Sequence, residues 1–262
     1  MSWNRIKAIV FKGINSLKRD IFRLFDIFFW PGFQLFTWGL FSVFIGQTSN
    51  TGMNYVSILL GAIILWTFFE RASKDFSLAM IDDLWNRNFI NIFSTPLSIT
   101  EYILGASIIA TFKLLVSIAF MFLLAYAMYG LQISSFGFYL IPCAIGLTIF
   151  GWSLSLLVQS CILRFGHTAE VFIWAVATLF QPLSCVFYPL AILPDWAQKI
   201  AVLIPSTFLF ENMRNTMAGN AVNINEILIS FTLNIVYFML SAWFFKRSFD
   251  YSKDSGLLIK YY

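Results

Sequence analysis

Long apolar segments alternate along this chain with shorter segments that carry most of its charged residues. The apolar segments cover residues 27–45, 53–69, 102–129, 136–163, 171–193 and 227–245. A transmembrane helix needs roughly 20 apolar residues to cross the hydrocarbon core of a bilayer. Because unpaired backbone groups are not tolerated in lipid and these segments are too long for barrel strands, each is predicted to be a helix. The pattern predicts an all-α membrane protein with six transmembrane helices.

Three segments outside the spans show patterns of their own. Residues 6–25 carry apolar and basic positions at helical spacing, which predicts an amphipathic interface helix on the membrane surface, with its basic face toward anionic lipid headgroups. Residues 75–95 are also amphipathic and predict a short helix parallel to the membrane, which ends before Pro96. Residues 194–219 are apolar but broken by proline and glycine, so they predict two re-entrant half-helices.

The positive charges fix the orientation of the spans. Of the 17 Lys and Arg residues, fourteen lie in segments 1–26, 70–101, 163–168 and 246–262, whereas only Lys199 and Arg214 lie in the opposite loops. Under the positive-inside rule, both termini are predicted to be cytoplasmic. The remaining cation, Lys113, lies within the third span and is predicted to extend toward the cytoplasmic surface.

These segments predict a single membrane domain over residues 1–262. Its parts are the interface helix at 1–26, spans 1 and 2 at 27–69, a cytoplasmic loop at 70–101, spans 3 to 5 at 102–193, the re-entrant segment at 194–221, span 6 at 222–245 and a tail at 246–262.

Composition and motifs exclude several other classes of protein. The chain is 59% hydrophobic and 11% charged, unlike a soluble domain, and it lacks the clustered basic surface of a nucleic-acid-binding protein. The three cysteines lie in apolar spans without metal-ligand spacing, so no metal site is expected. A GxxxxGK[ST] phosphate loop is absent, so the chain is not expected to bind a nucleotide through that motif. An enzyme is disfavoured because the spans offer few titratable groups beyond Lys113.

Two blocks of the sequence resemble motifs of a known family. The block STPLSITEYILGA follows the second span and resembles the stPvs..eyllgk pattern of ABC-2 type transporter permeases. Residues 192–219, ILPDWAQKIAVLIPSTFLFENMRNTMAG, resemble the lP.wlq.la.lnPlty..e.lR..l.G segment after the fifth span of that family. The resemblance covers six spans in order and implies the transmembrane subunit of an ABC exporter. Such a subunit is expected to work as a homodimer or heterodimer with two ATPase subunits, which bind the ATP and Mg²⁺.

The resemblance also implies which surface meets the ATPase. It assigns the 75–95 segment, the amino-terminal helix and the 163–168 loop to that surface. The residues expected to couple ATP hydrolysis to movement are Asp82, Asp83, Trp85, Arg87 and Phe89. An alternative for Trp85 and Phe89 is that they only anchor their helix at the level of the headgroups.

Two charged residues stand out in the predicted re-entrant segment. Glu211 and Arg214 lie three residues apart, so they are predicted to pair on one helix face. The pair either shapes an exit gate or serves only as a structural ion pair.

The sequence indicates the substrate less closely than it indicates the fold. The chain reads LFDIFFWPGFQLFTWG into the first span and lacks the LGxxWxxxxP-like pattern of the polysaccharide exporters in the family. The expected function is outward transport of an amphipathic or hydrophobic molecule, such as a drug or lipid, with a polysaccharide or lipid-linked glycan as the alternative. A non-ABC structural or assembly protein is an alternative of another class, which co-purification with an ATPase would exclude. The resemblance implies the bacterial cytoplasmic (inner) membrane.

Overall fold

A computed structural model describes residues 1–48, 55–132 and 137–257 of the chain. In chain order the helices are α1 (Trp3–Arg19), α2 (Ile21–Thr48), α3 (Tyr55–Trp85), α4 (Phe89–Phe93), α5 (Ile99–Tyr129), α6 (Leu140–Phe165), α7 (Val171–Leu183), α8 (Asp195–Ala201), α9 (Pro205–Met217) and α10 (Ile224–Asp254). Within the described residues there is no β-strand. The predicted all-α fold is confirmed.

Five helical stretches among the described residues are long and apolar enough to cross a membrane. They are Ile21–Thr48, Val56–Trp85, Ile99–Tyr129, Gly137–Leu183 and Ile224–Asp254. The first residues of the predicted second and fourth spans, 53–54 and 136, lie outside the described residues. The protein is therefore an integral membrane protein, while the count of six spans stays a prediction because the predicted fourth and fifth spans fall within one of these stretches.

Helices α6 and α7 form a helical hairpin within that stretch. Gly166, with φ 65°, ends α6 in a conformation that favours glycine, and a 3₁₀ turn leads into α7. The rings of Phe150 in α6 and Phe180 in α7 lie 5.6 Å apart, so the helices run side by side in opposite directions. α7 has only 13 residues, or about 20 Å. It is shorter than the span predicted over 171–193, because Pro182 and the left-handed Cys185 (φ 53°) interrupt the helix.

Helix α3 is the central helix of the bundle. Within its most apolar segment, 78% of the residues are buried inside the protein, compared with 17% for α10. It packs against α2, α5, α6 and α7. The approach of α6 is close, because a Cβ on Gly151 would lie 2.7 Å from the backbone oxygen of Phe69. Movement of α3 therefore affects most of the bundle.

Contacts between distant residues bring four helix ends together. Arg23 in α2 pairs with Asp82 near the end of α3, and the backbone N–H of Ser2 donates a hydrogen bond to Glu101 at the start of α5. We call this region, formed by α1, the start of α2, the end of α3 and the start of α5, the α1 end of the bundle.

Helix α3 continues through a segment that the sequence predicted to be a loop. The chain does not leave the bundle at Glu70, and the predicted separate helix over 75–95 is instead the last part of α3 followed by the short α4. Arg71, Lys74 and Asp75 are all at least 96% buried, because ion pairs within the bundle neutralise them. The charges that suggested a loop are interior residues of a long helix.

Helix α1 is confirmed as a helix, but its apolar face contacts protein. Gly105 of α5 approaches Ile9, and Leu17 forms a small cluster with Ile27 and Ile109. Because α5 covers this face, the part of the predicted apolar side that lies in α1 is largely buried. The predicted helix over residues 6–25 is interrupted at Asp20, and its last apolar residues, Ile21, Leu24 and Phe25, belong to α2 and are exposed.

Helices α8 and α9 match the two predicted half-helices. The chain between them, residues 202–204, is not helical, and Pro205 occupies the first turn of α9, where a missing N–H costs no hydrogen bond. Phe210 in α9 is fully buried near Trp66 of α3. The depth of these helices in the membrane stays a prediction.

Candidate functional site at the α1 end of the bundle

The central helix ends in a tight turn of polar residues. After Trp85 the chain reads Asn-Arg-Asn, and Arg87 adopts a left-handed conformation with φ 51°. The backbone oxygen of Asp82 accepts two hydrogen bonds from Asn86, one from its backbone N–H at 3.0 Å and one from its side-chain amide at 2.7 Å, which hold the end of the helix. We call residues 85–88 the α3–α4 turn.

This turn presents an aromatic ring and a positive charge on the surface. The Trp85 side chain is 46% exposed, and Asn86 and Arg87 are also exposed. Trp and Arg are among the residue types enriched at the energetic centres of protein interfaces. Of the five predicted coupling residues, Trp85 and Arg87 are the two that a partner can contact directly.

Asp82 and Asp83 have partners within the chain. Asp83 pairs with Lys12 of α1 through one carboxylate oxygen and accepts a 2.8 Å hydrogen bond from the Tyr102 hydroxyl through the other. Asp82 pairs with Arg23 at the start of α2. These carboxylates hold α1 and α2 against the end of α3, and the sequence could not reveal the pairing because the partners lie 59 and 71 residues away.

Arg23 also binds a second carboxylate, that of Asp20, which lies just before α2. Arg23 donates a 3.0 Å hydrogen bond to Asp20, which also caps the first turn of α2. Burial raises the pKa of Asp20, but the hydrogen bonds from Arg23 and Phe22 outweigh it and leave that pKa below its usual value. Asp20 is therefore ionised at neutral pH and helps to orient Arg23 toward Asp82.

Phe89 supports the turn from inside the protein. Its side chain is 1% exposed, and its ring lies 5.1 Å from that of Phe93 and 5.9 Å from that of Tyr102. The alternative that Phe89 anchors a helix among lipid headgroups is wrong, because protein side chains surround it. It fixes the position of α4 against α5.

Glu101 is a central residue that the sequence analysis missed. It forms a capping box with Ser98 at the start of α5, accepts a 2.6 Å hydrogen bond from the N–H of Ser2, and lies 3.5 Å from Arg5. The segment Ser98-Ile99-Thr100-Glu101 has the capping-box spacing, which was the available signal. Glu101 ties the beginning of α1 to the beginning of α5.

Deeper in the bundle, a network of charges joins α2, α3 and α5. Arg71 bonds the Asp26 carboxylate at 2.8 Å and lies 3.5 Å from Asp75, which in turn lies 3.7 Å from Lys113. Both oxygens of Asp75 are buried and accept no hydrogen bond, so these two cations compensate its charge at longer range. Lys113 does not extend alone to the surface as predicted. The sequence does not indicate this partner, because its pattern predicts a loop over residues 70–101, which include Asp75.

The family model of the ABC-2 type transporter matches residues 5–218, which include the α1 end, the charge network and the α8–α9 segment. The chain belongs to the ABC-2 type transporter family. A comparison with individual curated proteins found no match.

As an ABC-2 protein, the chain is a membrane subunit of an ABC transporter. Membership of the family implies association with an ABC ATPase subunit. A membrane subunit of this kind needs a surface that an ATPase can move and a path from that surface into the bundle. The α3–α4 turn is exposed, and the central helix α3 runs from it into the bundle.

The predicted charged pair of the ABC-2 subunit is present at the other end of the bundle. Arg214 and Glu211 lie 2.7 Å apart on α9, which confirms the predicted pairing. Glu211 also accepts a 2.6 Å hydrogen bond from the N–H of Leu190, and Arg214 donates one of 2.6 Å to the backbone oxygen of Cys185. The pair fastens α9 to the chain that follows α7.

We expect Lys12→Met to loosen α1 in this ABC-2 subunit. The change removes the cation that pairs with Asp83, a carboxylate that is largely buried. The expected cost is about 1 kcal/mol, so the backbone amides of α1 should exchange hydrogen about five times faster. Hydrogen exchange measured by mass spectrometry on the purified protein gives this rate.

Lys18→Met is the matched control, because Lys18 lies on the same helix, is exposed and forms no ion pair with any described residue. Equal exchange rates in the two variants would show that the Lys12–Asp83 pair does not hold α1.

Proposed function

We propose that the protein is the membrane permease of an ATP-driven exporter and that its ATPase acts on the α3–α4 turn. The observation that supports this most strongly is the continuity of α3, which runs without a break from the buried centre of the bundle to the exposed Trp85. A long packed helix transmits a displacement at its end as a rigid body, since packed interiors are close to incompressible. Force applied at the turn therefore reaches α2, α5, α6 and α7.

The five predicted coupling residues have two different roles in this proposal. Trp85 and Arg87 contact the ATPase. Asp82, Asp83 and Phe89 keep the turn in place, because they bind α1, α2 and α5 rather than an external partner. A displaced turn then carries α1 with it.

A further contact is proposed at the turn between α6 and α7. Phe165 is 60% exposed there, and His167 and Thr168 beside it are exposed as well. This turn lies at the same end as the α3–α4 turn, because α6 runs parallel to α3: Gly151 of α6 approaches Phe69 of α3, and further along both helices Ser155 forms a hydrogen bond with Ser77. Two contacts at one end of the bundle suit an ATPase that spans both.

We propose that the protein lies in the inner membrane of a bacterial cell with both termini in the cytoplasm. The distribution of Lys and Arg supports this orientation of the termini. Arg71 and Lys74 are interior residues and no longer count as loop charges, which leaves twelve cations on the proposed cytoplasmic side against two on the other. A bias of that size fits the positive-inside rule. The proposed complex contains two permeases, identical or different, and two ATPase subunits that bind ATP and Mg²⁺.

The proposed cargo is an amphipathic or hydrophobic molecule that moves outward. Many apolar side chains are exposed along the membrane-spanning helices α2, α5 and α10, so the protein presents a wide apolar surface to molecules dissolved in the bilayer. We further propose that Glu211 and Arg214 hold the outer exit closed. Their hydrogen bonds to residues 185–190 fix the position of α9 relative to α7.

Co-purification tests the proposal. The tagged chain is expressed together with a candidate ABC ATPase that carries a phosphate-loop motif, and the complex is purified and placed in liposomes. We expect the ATPase to co-purify in equal amount and a fluorescent amphiphile to move across the membrane only when ATP and Mg²⁺ are present. A chain that purifies without any ATPase would instead favour the structural or assembly function.

A further inference from the structure

A polar cavity of about 140 Å³ lies between α2, α3 and α7, near the middle of the bundle. Its lining residues include Gln34 of α2, Glu70 of α3 and Gln181 of α7, and Glu70 is the sixteenth of the 31 residues of α3. Lys74 also lines the cavity, so charges of both signs are present. The outer end of the bundle is the end opposite the α1 end. Whatever separates the cavity from the outer end controls access to it from that side.

The directions of α2 and α7 show which residues lie on the outer side of the cavity. Both helices begin at the α1 end, so their later residues lie closer to the outer end. Trp38 lies one turn, or about 6 Å, beyond Gln34 on α2. Phe187 follows the end of α7, beyond Gln181, and its ring contacts Trp38. Both aromatic residues therefore lie between the cavity and the outer end.

Trp38 and Phe187 form a parallel stack. Their ring centres lie 4.1 Å apart and their planes differ by 13°, and both side chains are half-buried against the main hydrophobic core. Helix α3 adds Trp66, which lines the cavity one turn outward from Glu70 and lies 6.2 Å from the ring of Phe210 in α9. A level of aromatic rings therefore follows the level of polar side chains in the outward direction.

Phe187 belongs to a non-helical segment, residues 184–190, that α9 holds in place. Ser206 of α9 donates a 2.7 Å hydrogen bond to the hydroxyl of Ser184, and Arg214 donates one of 2.6 Å to the backbone oxygen of Cys185. Cys185 has φ 53°, a left-handed conformation that a residue other than glycine keeps only where the surrounding contacts enforce it. The position of the Phe187 ring therefore depends on α9.

We propose that the stack of Trp38 on Phe187 closes the cavity toward the outer end and has to separate before the exit opens. This inference rests on the proposed export function and extends the proposed role of Glu211 and Arg214. The charged pair fixes the 184–190 segment to α9, and the stack fixes the same segment to α2. A constriction of apolar rings also excludes water, which charged groups at this level would attract. Separation of the rings connects the polar cavity with the outside.

The accessibility of a cysteine in the cavity tests the inference. Cys143, Cys161 and Cys185 are replaced by Ala, and Gln181→Cys is introduced. A small, membrane-impermeant thiol reagent is applied to right-side-out membrane vesicles without ATP, and the labelled fraction is measured by mass spectrometry of the purified protein. We expect Trp38→Ala to raise the labelling rate about tenfold, because loss of a stacked ring pair shifts the equilibrium toward the separated state.

Further variants show whether the two rings act as a pair. Phe187→Ala should raise the rate as much as Trp38→Ala does, and the double variant should label no faster than either single variant, because the same contact is removed in all three. Trp38→Phe retains an aromatic ring and should label nearly as slowly as the unmodified protein. Phe44→Ala is the matched control, since Phe44 is an exposed ring on the same helix that does not line the cavity.

A second reporter detects unfolding. It retains Cys143, which is fully buried in α6, and lacks Gln181→Cys. Cys143 should stay unlabelled in every variant. If Trp38→Ala and Phe187→Ala expose Cys143 as well, the stack maintains the fold rather than closes the cavity, and the inference is wrong.

Equal labelling of Gln181→Cys with and without the two rings would also overturn the inference, even if ATP-driven transport is intact. Faster labelling of the ring variants in a complex that shows no ATP-driven transport would support the closure and refute the export function instead.

Discussion

Replacing Trp85 by Ala together with Arg87 by Gly is expected to lower ATP-driven transport at least about 30-fold. The two side chains are the exposed groups of the α3–α4 turn, and loss of an interface residue of this kind costs about 2 kcal/mol or more. Glycine is chosen at position 87 because it adopts the left-handed conformation of Arg87 without strain. The measurement is the initial rate of substrate uptake into inverted vesicles, together with the rate of ATP hydrolysis.

The variant should still insert and fold, because neither side chain is part of the core. Trp196→Ala is the matched control. Trp196 is also an exposed tryptophan, but it lies on α8 and is not part of the α3–α4 turn. Transport should be unaffected in this control. Normal transport by the doubly substituted protein would mean that the ATPase does not act through this turn.

Arg71→Met is expected to destabilise the protein by about 3–5 kcal/mol. Arg71 is 2% exposed, bonds Asp26 and Ser117, and lies beside the fully buried Asp75. Removing Arg71 leaves two carboxylates, one of them fully buried, with only the more distant cations Lys74 and Lys113 beside them, which accounts for the size of the effect. For a chain of this length, the thermal unfolding midpoint of the purified protein in detergent should fall by about 10 °C.

A second substitution separates charge from packing. After Arg71→Met, only Lys113 lies beside the Asp75 carboxylate. Adding Asp75→Asn removes this partly compensated charge, so the double variant should recover part of the lost stability. Arg19→Met is the control, because Arg19 is exposed and forms no ion pair with any described residue. A double variant less stable than Arg71→Met would show that Asp75 is not held through Arg71.

The sequence predicted the features that depend on local pattern. The length of the apolar segments predicted the membrane helices, and apolar residues at helical spacing predicted α1. The separation of three residues predicted the Glu211–Arg214 pair. The two motif blocks indicated the family that the comparison confirmed. Each of these features is encoded within a few helical turns.

Features that depend on distant residues were missed. Arg71, Lys74 and Asp75 interrupt an apolar run, and in sequence such an interruption looks like the end of a span. Their burial becomes understandable only once Asp26 and Lys113 are seen beside them. Asp82 and Asp83 were expected to face a partner for the same reason, although Arg23 and Lys12 already bind them.

A single cysteine at position 87 tests the central claim most directly. Cys143, Cys161 and Cys185 are first replaced by Ala or Ser, and Arg87→Cys is introduced. A membrane-impermeant maleimide is then applied to intact cells and to inverted membrane vesicles, with and without the ATPase. We predict labelling only in inverted vesicles, and protection when the ATPase is bound. Labelling in intact cells would place the α3–α4 turn outside the cell and contradict the account.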